Sequence, residues 1–455
     1  MSWILYNKHI KKNEEFIGKC VSYDNDGNGI VKHNGIVFFV KGLIKGEQAK
    51  ILCVSMKKTY GFGKVLEIIK PSENRVNPVC SVYKQCGGCQ LQHMSHLEQK
   101  YFKENKVKTC FESIAKLNIK VNDILSMDNP YRYRNKVSVP VSIKEDLKMG
   151  FYRNHSNDIV EFDDCVVQTE LSNKIISYIK KELPKYDFKN IVRHVLIKHS
   201  HNTNEVMVVL IVKQALVLEM ESFIDKLYKE FNQIKSIILN INKREDNVIL
   251  GDKEYVIKGE VNIQEELCGY NFNISSKSFF QINPYQTEVL YNTAIKLADI
   301  KKDEVVLDLY CGIGTIGIIA SKYAKKVIGV EVIKEAIDDA KVNAKNNNVE
   351  NIEFYCGDAG TVATKLINEN VSIDVVIVDP PRKGLDKTAI DAILKINPKK
   401  LVYVSCDPAT LARDVRILVD NGYSTEEVTP VDMFPNTFHV ECIVKLCKKR
   451  GKGND

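Results

Sequence analysis

The sequence predicts an α/β protein with three regions: a small N-terminal β-barrel, a central α+β region and a C-terminal doubly wound sheet. Recurring glycines separate short apolar runs over residues 14–69, which is typical of a barrel of the OB type. Strand-like and helix-like stretches mix between about 124 and 272, and from about 285 strands alternate regularly with helices. A chain of 455 residues is too long for one ordinary core, so several domains are expected.

The composition narrows the class of protein. It is 44% hydrophobic and 27% charged, as in globular proteins, and no apolar run reaches the roughly 18 residues of a membrane span. The N-terminus lacks the order of a secretory signal, so we expect a cytoplasmic protein. A net charge of +7 permits an anionic partner such as RNA without demonstrating one. Thirteen scattered cysteines disfavour a disulfide framework and favour metal binding or thiol chemistry.

A cysteine cluster follows the barrel region. Cys80, Cys86 and Cys89 precede His93 and His96, and this spacing is compatible with a zinc site. A helix is expected over roughly 94–117.

The segment YRYRN at residues 131–135 interleaves arginine with aromatic residues. Such a segment can stack on bases and pair with phosphates, or it can be a strand with one aromatic face turned inward. Both readings stay open at this point.

The C-terminal region contains five apolar strand candidates separated by helical spacing. They are residues 305–310, 326–332, 352–358, 374–380 and 401–407. This alternation predicts a mostly parallel sheet with right-handed crossovers, whose ligand site lies beyond the carboxyl ends of the strands.

A glycine-rich turn follows the first of these strands. Gly312, Gly314 and Gly317 let the backbone turn tightly and approach a ligand. Glu331 ends the second strand and could bind ribose hydroxyls, and Asp358 ends the third and could face adenine or cap a helix. Because NAD and S-adenosylmethionine both contain adenosine, the turn predicts an adenosyl cofactor without separating the two.

Two further strand ends carry reactive groups. Asp379 begins the stiff turn DPPRKG, which holds its carboxylate in place. Cys406 follows the fifth strand, where it could be a nucleophile favoured by the charges of Arg382 and Lys383, or a buried structural cysteine. Glu441 lies in the last strand candidate and, on the residues alone, is expected to be a surface strand residue.

Together these segments resemble the RNA uracil-5-methyltransferases, specifically the ribosomal-RNA members with an N-terminal TRAM domain and an iron–sulfur cluster. The resemblance rests on SFFQINPYQTE, DLYCGIGT, DPPRKG, SCDPATLARD and HVE, and on residues 27–46, which resemble TRAM, an OB-like RNA-binding module. It covers nearly the whole chain and implies a Rossmann-like class I methyltransferase fold for the C-terminal region. The regions it implies are TRAM at 9–70, an iron–sulfur cysteine segment at 71–93, a central α+β RNA-binding domain at 94–272 and the methyltransferase domain at 273–450.

The resemblance also implies a role for each matching residue. Cys406 would be the nucleophile that adds to C6 of uracil, and Glu441 the general base that removes the C5 proton. The positions that match the S-adenosylmethionine site are Gln281, Tyr310, Glu331 and Asp379, with Thr315 and Asp358 as further candidates. The positions that match the ligands of a [4Fe–4S] cluster are Cys80, Cys86, Cys89 and Cys165.

The hypothesis that follows is methylation of uracil C5 in 23S ribosomal RNA. The alternatives are the same chemistry on the T-loop of tRNA and a catalytically silent RNA-binding factor. A purely NAD-linked oxidoreductase is disfavoured by DPPRKG and SCDP together. We expect no membrane association and no obligatory protein partner.

Overall fold

The computed structural model describes residues 10–143 and 146–449. Residues 9 and 450, the outer bounds of two predicted domains, lie outside the described residues. Residues 1–9, which carry much of the argument against a secretory signal, also lie outside them. No described helix is long and apolar enough to cross a membrane.

The N-terminal region forms a closed five-stranded barrel. Its strands are β1 (Glu15–Tyr23), β2 (Gly29–His33), β3 (Ile36–Lys41), β4 (Gln48–Met56) and β5 (Tyr60–Lys70), in the order β1-β2-β3-β5-β4. Phe38 and Val40 point into a tightly filled interior. A Cβ added at Gly61 would lie 2.6 Å from the Phe38 ring, which explains why glycine stands at this inward position of β5. The barrel confirms the predicted fold of this region.

Residues 80–89, which contain Cys80, Cys86 and Cys89, form what we call the cysteine loop. Helix α1 (His96–Cys110) follows it and is capped by Ser95. A π-helical turn over Phe111–Ala115 and then β6 (Lys120–Val121) come next. Val107, Phe111 and Ala115 lie in the core of the C-terminal sheet. The sequence analysis grouped this stretch with the central region. The structure places it on the C-terminal sheet because that is where its apolar residues are buried.

The central region is built on a seven-stranded sheet. Its elements are β7 (Lys136–Ile143), β8 (Leu147–Tyr152), β9 (Ile159–Glu161), α2 (Glu170–Glu182), two 3₁₀ turns (Leu183–Lys185 and Asp187–Ile191), β10 (Val192–His199), β11 (Val206–Val212), α3 (Val217–Glu230), β12 (Ile234–Ile241) and β13 (Lys253–Gly259). The strand order is β13-β12-β11-β10-β7-β8-β9. Strand β11 is buried along its whole length, which fits its unbroken run of apolar residues. A hairpin of β14 (Ile263–Leu267) and β15 (Tyr270–Ile274) leads into the last region.

The C-terminal region is the doubly wound sheet predicted from the sequence. Its elements are α4 (Pro284–Ala298), β16 (Val305–Leu309), α5 (Thr315–Ser321), β17 (Lys326–Glu331), α6 (Lys334–Asn346), β18 (Ile352–Cys356), α7 (Ala359–Asn368), β19 (Val375–Val378), α8 (Lys387–Ile396), β20 (Lys400–Ser405), α9 (Pro408–Asp420), β21 (Tyr423–Ser424), β22 (Glu427–Val431) and β23 (Glu441–Lys448).

The main path of this sheet runs β18-β17-β16-β19-β20-β23-β22-β6, and β16 to β20 are parallel. From β16 the chain adds β17 and then β18 on one side of the sheet. It then crosses back and adds β19 and β20 on the other side of β16. This change of direction opens a crevice at the carboxyl ends of β16 and β19, the place where such sheets bind ligands.

Candidate active site

A cavity of about 1390 Å³ extends from this crevice to the cysteine loop. Its walls come from the carboxyl ends of β16, β17, β19 and β20, from residues 275–282 and from residues 434–441. All predicted site residues except Thr315 line it. They are Gln281, Tyr310, Glu331, Asp358, Asp379, Cys406, Glu441, Cys80, Cys86, Cys89 and Cys165.

The glycine turn after β16 shapes one wall. Tyr310 has a φ of 67° and Gly312 a φ of 55°, so the chain reverses sharply as it leaves the strand. The Gly312 N–H donates to Glu331 Oε2 at 3.3 Å, and the two N–H groups after Glu331 donate to Oε1 at 2.8 and 3.0 Å. The Glu331 carboxylate is therefore held in place at the end of β17, beside the turn.

Asp308 lies beneath this turn and is fully buried. Burial raises its pKa to about 8, the charge of Asp379 adds to the rise, and the Gly317 N–H opposes it. A Cβ at position 317 would lie 3.0 Å from Asp308 Oδ2 and 3.1 Å from Ile352 Cδ1, a tight fit that favours glycine there. Asp308 is the one acidic residue in the run VVLDLY, but the sequence analysis assigned it no role.

Two of the weaker candidates have structural roles. Asp358 caps α7 by accepting from the Thr361 N–H at 3.0 Å, as the alternative interpretation expected, and it also faces the cavity. Thr315 is buried in the first turn of α5, with its hydroxyl 3.5 Å from that of Tyr291.

The DPPRKG turn begins at the half-buried Asp379, whose N–H donates to the Leu309 carbonyl at 3.4 Å and so ties the turn to β16. Burial raises the pKa of Asp379 to about 7. Arg382 and Lys383 follow on the cavity wall and are exposed.

Cys406 lies between β20 and α9. Asp407 caps α9 by accepting from the N–H groups of Ala409 and Thr410. Burial raises the pKa of Cys406 to about 12, and the charges of Glu441 and Asp379 add to the rise. Arg382 lowers this pKa, as expected, but its effect is outweighed, so the resting group is a thiol.

Glu441 is the first residue of β23 and is only 2% exposed. The expectation of a surface strand residue, based on the residues alone, is therefore wrong. Burial and the charge of Asp379 raise the Glu441 pKa well above its usual range, while Arg382 opposes them. Cys406, Glu441 and Asp379 thus form one electrostatically coupled group in the cavity.

Helix α1 holds the loop that precedes Glu441. Lys103 donates to Asp432 and to the Phe434 carbonyl, and Gln99 is hydrogen-bonded to Asn436. The helix therefore positions a wall of the cavity, a role that the sequence analysis did not foresee.

The segment 275–281 forms the opposite wall. The buried Lys198 ammonium donates to the carbonyls of Ser275 and Ser278 at 2.6 and 2.8 Å, and both hydroxyls lie within hydrogen-bond distance of Asp339. Phe279, at the cavity mouth, is 67% exposed.

The four predicted cluster cysteines lie at the other end of the cavity. Burial raises the pKa of Cys89 to about 12, and the charges of Cys165, Cys86 and Cys80 contribute, so the four thiols lie within electrostatic reach of one another. The Gly88 N–H donates to Cys86 Sγ at 3.3 Å. Four thiols with amide donors are a set that suits an iron–sulfur cluster or zinc. Within residues 10–143 and 146–449, no group of three or more His, Cys, Asp or Glu has the geometry to hold a metal ion.

The two histidines near this loop have other partners. His93 Nδ1 is 2.7 Å from the Tyr83 hydroxyl, and His96 Nε2 is 3.7 Å from Asp432. The arrangement gives no support to a zinc site that combines these histidines with the cysteines.

The YRYRN segment is used mainly for structure. Arg132 forms a bidentate pair with Asp164 at 2.7 Å and donates to the Cys165 carbonyl. Tyr133 is 2% exposed and donates to the Pro435 carbonyl. Arg134 does line the cavity. Tyr133 faces inward, as one interpretation expected, but residues 131–135 form a loop with one isolated bridge at Arg134 and not a strand. Arg132 orders the loop that carries Cys165.

Comparisons with known proteins show the family to which the chain belongs. The sequence model of the family described as tRNA (Uracil-5-)-methyltransferase matches residues 93–449. An uncharacterized RNA methyltransferase of Clostridium tetani is 44% identical over 446 residues, covering 96% of this chain and 97% of its own. One of Clostridium acetobutylicum is 44% identical over 449 residues, covering 96% and 98%.

A solved structure is similar over nearly the whole length. It is the Pyrococcus abyssi tRNA (uracil-54, C5)-methyltransferase in complex with S-adenosyl-L-homocysteine, with a TM-score of 0.74 and 28% identity. The match covers 95% of this chain and 100% of that one. The 5% of this chain that the match leaves out is shorter than the barrel. The match therefore includes at least part of the barrel.

Proposed function

The chain belongs to the tRNA (uracil-5-)-methyltransferase family, and from this membership we propose that it methylates C5 of a uracil in RNA with Cys406 as covalent nucleophile. The observation that carries the proposal is the shared cavity of Cys406, Glu441 and Asp379 beside the glycine turn. It joins a nucleophile, a carboxyl group with a raised pKa and an adenosyl-type site in one space.

S-adenosylmethionine, when bound, supplies an activated methyl group. The anchored carboxylate of Glu331 suits ribose hydroxyls, and Asp358, at the end of β18, suits the adenine side. Tyr310 and Gln281 would flank the methionine part, near Asp379. Thr315 lies behind the cavity wall, with its hydroxyl near that of Tyr291, and is the weakest of these candidates.

Cys406 starts the reaction. Its sulfur forms a bond to C6, the C5–C6 π electrons move towards C5 and O4, and the thiol proton passes to a carboxylate of the site. Asp379, with a pKa of about 7, is partly ionised at neutral pH and suits this transfer. C5 is then nucleophilic enough to take the methyl group.

Glu441 ends the reaction. In its ionised form, Glu441 takes the remaining C5 proton, the electron pair restores the C5–C6 double bond, and the C6–sulfur bond breaks with its electrons left on sulfur. The thiolate then regains the proton held by Asp379, which returns Cys406 to its resting thiol, and Glu441 gives its proton to solvent. A buried carboxyl group with a raised pKa is a strong enough base for this task.

We also propose that Cys80, Cys86, Cys89 and Cys165 hold a [4Fe–4S] cluster. Their chemistry and their common end of the cavity support this. A four-iron cluster spaces its thiolates more widely than a single ion does. Such a cluster would fix the loops on both sides of the RNA entrance.

For the target, we propose 23S ribosomal RNA, on the strength of the TRAM-like barrel combined with the four cysteines. The second candidate is the T-loop of tRNA, which the full-length similarity to the Pyrococcus enzyme favours. Because that similarity reaches into the barrel, the barrel by itself does not separate the two targets. A silent RNA-binding factor is the third candidate, and the intact Cys406 and Glu441 speak against it.

The test is to supply isotope-labelled S-adenosylmethionine with ribosomal-RNA fragments and tRNA transcripts, and to locate the label by nuclease digestion and mass spectrometry. 5-Methyluridine in a 23S fragment alone supports the whole proposal. Label only in tRNA keeps the chemistry and replaces the target. No labelled nucleoside in any RNA, from protein that binds S-adenosylhomocysteine, would leave the silent factor as the better account.

A further inference from the structure

One wall of the cavity is a stretch of chain between β15 and α4, residues 275–282, which we call the wall segment. It forms neither helix nor strand, so its main-chain carbonyls must find hydrogen-bond donors elsewhere. Lys198, on β10 of the central sheet, supplies two of these bonds. Its ammonium donates to the carbonyls of Ser275 and Ser278, at 2.6 and 2.8 Å.

Asn135, directly before β7, supplies two further bonds to the wall segment. Its Nδ2 donates to the Gln281 carbonyl at 3.1 Å, and its backbone N–H donates to the Ile282 carbonyl at 2.9 Å. The Asn135 carbonyl accepts from the N–H of His199, the residue after Lys198, at 2.8 Å. One end of the β7–β10 strand pair therefore holds four carbonyls of the wall segment.

The wall segment is also fastened on the cofactor side. The hydroxyls of Ser275 and Ser278 lie 3.2 and 2.7 Å from Asp339 Oδ2. Asp339 lines the cavity from α6, the helix that follows the predicted ribose-binding carboxylate of Glu331. The segment thus joins the central sheet to the helix beside the cofactor crevice.

A buried lysine at position 198 is costly to the fold. Lys198 is 5% exposed and forms no salt bridge with any residue that the structure describes. Lys136 lies directly opposite it on β7, and like charges at opposed positions destabilise a sheet. Burial and Lys136 lower the Lys198 pKa to about 7, while the charges of Asp339 and Glu254 oppose them. Both side-chain hydrogen bonds of this costly cation go to the wall segment.

We propose that Lys198 and Asn135 are positioning residues for S-adenosylmethionine, which hold the wall segment from behind so that Gln281 faces the cofactor. The inference rests on the proposed function, since it takes Gln281 as part of the cofactor site. Neither positioning residue is among the described residues that line the cavity, so neither touches the cofactor. When the wall segment leaves its place the site is not competent, and the apparent affinity falls with the competent fraction.

The test uses the full-length protein and S-adenosylhomocysteine as the probe, with binding measured by titration calorimetry. Lys198→Met keeps most of the apolar stem but cannot donate. We expect it to raise the dissociation constant about tenfold or more, because two bonds from a charged donor are lost. Asn135→Ala loses one neutral donor and keeps the backbone bond, so its dissociation constant should rise about threefold to fivefold.

The matched control is Lys136→Met, the same substitution at the directly opposed position. No side-chain hydrogen bond of Lys136 is formed within the described residues, and the control should bind S-adenosylhomocysteine within about twofold of wild type. If Lys198→Met does not fold, Asn135→Ala is compared with this control alone.

Calorimetry separates positioning from a simple loss of folded protein. A partly misfolded variant binds at fewer sites per chain with an unchanged dissociation constant, whereas a displaced wall segment keeps the number of sites and raises the constant. In methylation assays Lys198→Met should raise KM for S-adenosylmethionine by a similar factor, with kcat at saturating cofactor within about threefold of wild type.

Binding of S-adenosylhomocysteine by folded Lys198→Met within about twofold of wild type would overturn the inference, as would an equal loss in Lys136→Met. If wild type methylates RNA in that case, the positioning role fails and the proposed function stands. If the dissociation constants follow the expected order but wild type methylates no RNA, the positioning role stands and the proposed function fails.

Discussion

Lys103 and Asp432 form a fully buried ion pair, with Nζ and Oδ1 2.5 Å apart, that ties helix α1 to the loop before Glu441. The two residues are 329 positions apart in the chain. Although burial by itself would raise the pKa of Asp432, Lys103 and His96 hold it below its usual range. The cavity wall that carries Glu441 is therefore supported by a helix that precedes the central region in the sequence.

This pair gives a prediction on stability. Lys103→Met leaves the Asp432 charge buried without its partner, and we expect a loss of about 3–5 kcal/mol in the free energy of unfolding, measured by urea titration. Lys108→Met is the control, because Lys108 lies on the same helix in an exposed pair with Glu112 and should cost less than about 1 kcal/mol. Equal effects of the two variants would contradict the role assigned to the buried pair.

A second prediction concerns pH and the first chemical step. Because the pKa of Cys406 is about 12, its thiolate fraction rises about tenfold per pH unit over the working range. Above about pH 7 the ionised Asp379 can accept the thiol proton, although its charge also raises the Cys406 pKa. The rate of covalent adduct formation should therefore increase with pH from about 6 to 9, measured by rapid quench with saturating RNA. A flat profile, with folding and RNA binding constant over this range, would show that thiol deprotonation does not limit the step.

A third prediction separates the roles proposed for Cys406 and Glu441. Glu441→Gln keeps the size of the side chain but cannot take the C5 proton, so the methylated RNA should stay attached to Cys406. With ordinary uridine RNA, we expect this variant to accumulate a protein–RNA band on denaturing gels, with turnover reduced by a factor of at least about 100. The Glu441→Asp variant should release product measurably. Normal turnover by Glu441→Gln would assign the base to another group.

A fourth prediction concerns Asp308. Its pKa in the folded protein, about 8, lies above the ordinary value of 3.8, so the folded state retains a proton that the unfolded state releases. The stability that the protonated Asp308 contributes to the folded state is fully present below about pH 4 and is lost as the pH rises through 8. Asp308→Asn should therefore gain stability relative to wild type by about 3 kcal/mol between pH 5 and pH 8, measured by denaturant titration at both values.

The control for Asp308→Asn is Asp374→Asn. The pKa of Asp374 is shifted in the opposite direction, so its effect on the free energy of unfolding should change with pH in the opposite sense. Burial would raise the Asp374 pKa, but the Val305 N–H and Lys399 hold it below its usual range. That variant should lose stability relative to wild type as the pH rises from about 3 to 6. A pH-independent difference for Asp308→Asn would mean that the buried carboxyl group is ionised in the folded state.

The sequence predicted the C-terminal sheet well because its parallel strands are buried on both faces. The strands at 305–309 and 326–331 therefore appear as short apolar runs between helices. Once that topology is known, the carboxyl ends of the strands meet at one edge, so Glu331, Asp379 and Cys406 were expected to lie close together. Their common cavity has this origin.

Other features depend on contacts between distant parts of the chain, and no local pattern contains them. Glu441 is buried, and the loop before it is held against α1 by hydrogen bonds between residues far apart in the chain. The position of Cys165 beside the cysteine loop depends on Arg132, which pairs with Asp164 and binds the Cys165 carbonyl. The resemblance to a known family identified Cys165, whereas spacing along the chain did not. The catalytic and cofactor roles themselves remain predictions.

The central claim is that Cys406 forms a covalent bond to uracil, and the most direct test is trapping with RNA that contains 5-fluorouridine. Fluorine at C5 cannot leave as a proton, so the account predicts a stable complex with the mass of protein, RNA and one methyl group. Peptide mapping should place the bond on Cys406, and Cys406→Ser should form no complex while still binding RNA and S-adenosylhomocysteine. A complex that persists in Cys406→Ser would contradict the account, as would the absence of any complex from wild type that converts ordinary RNA to 5-methyluridine.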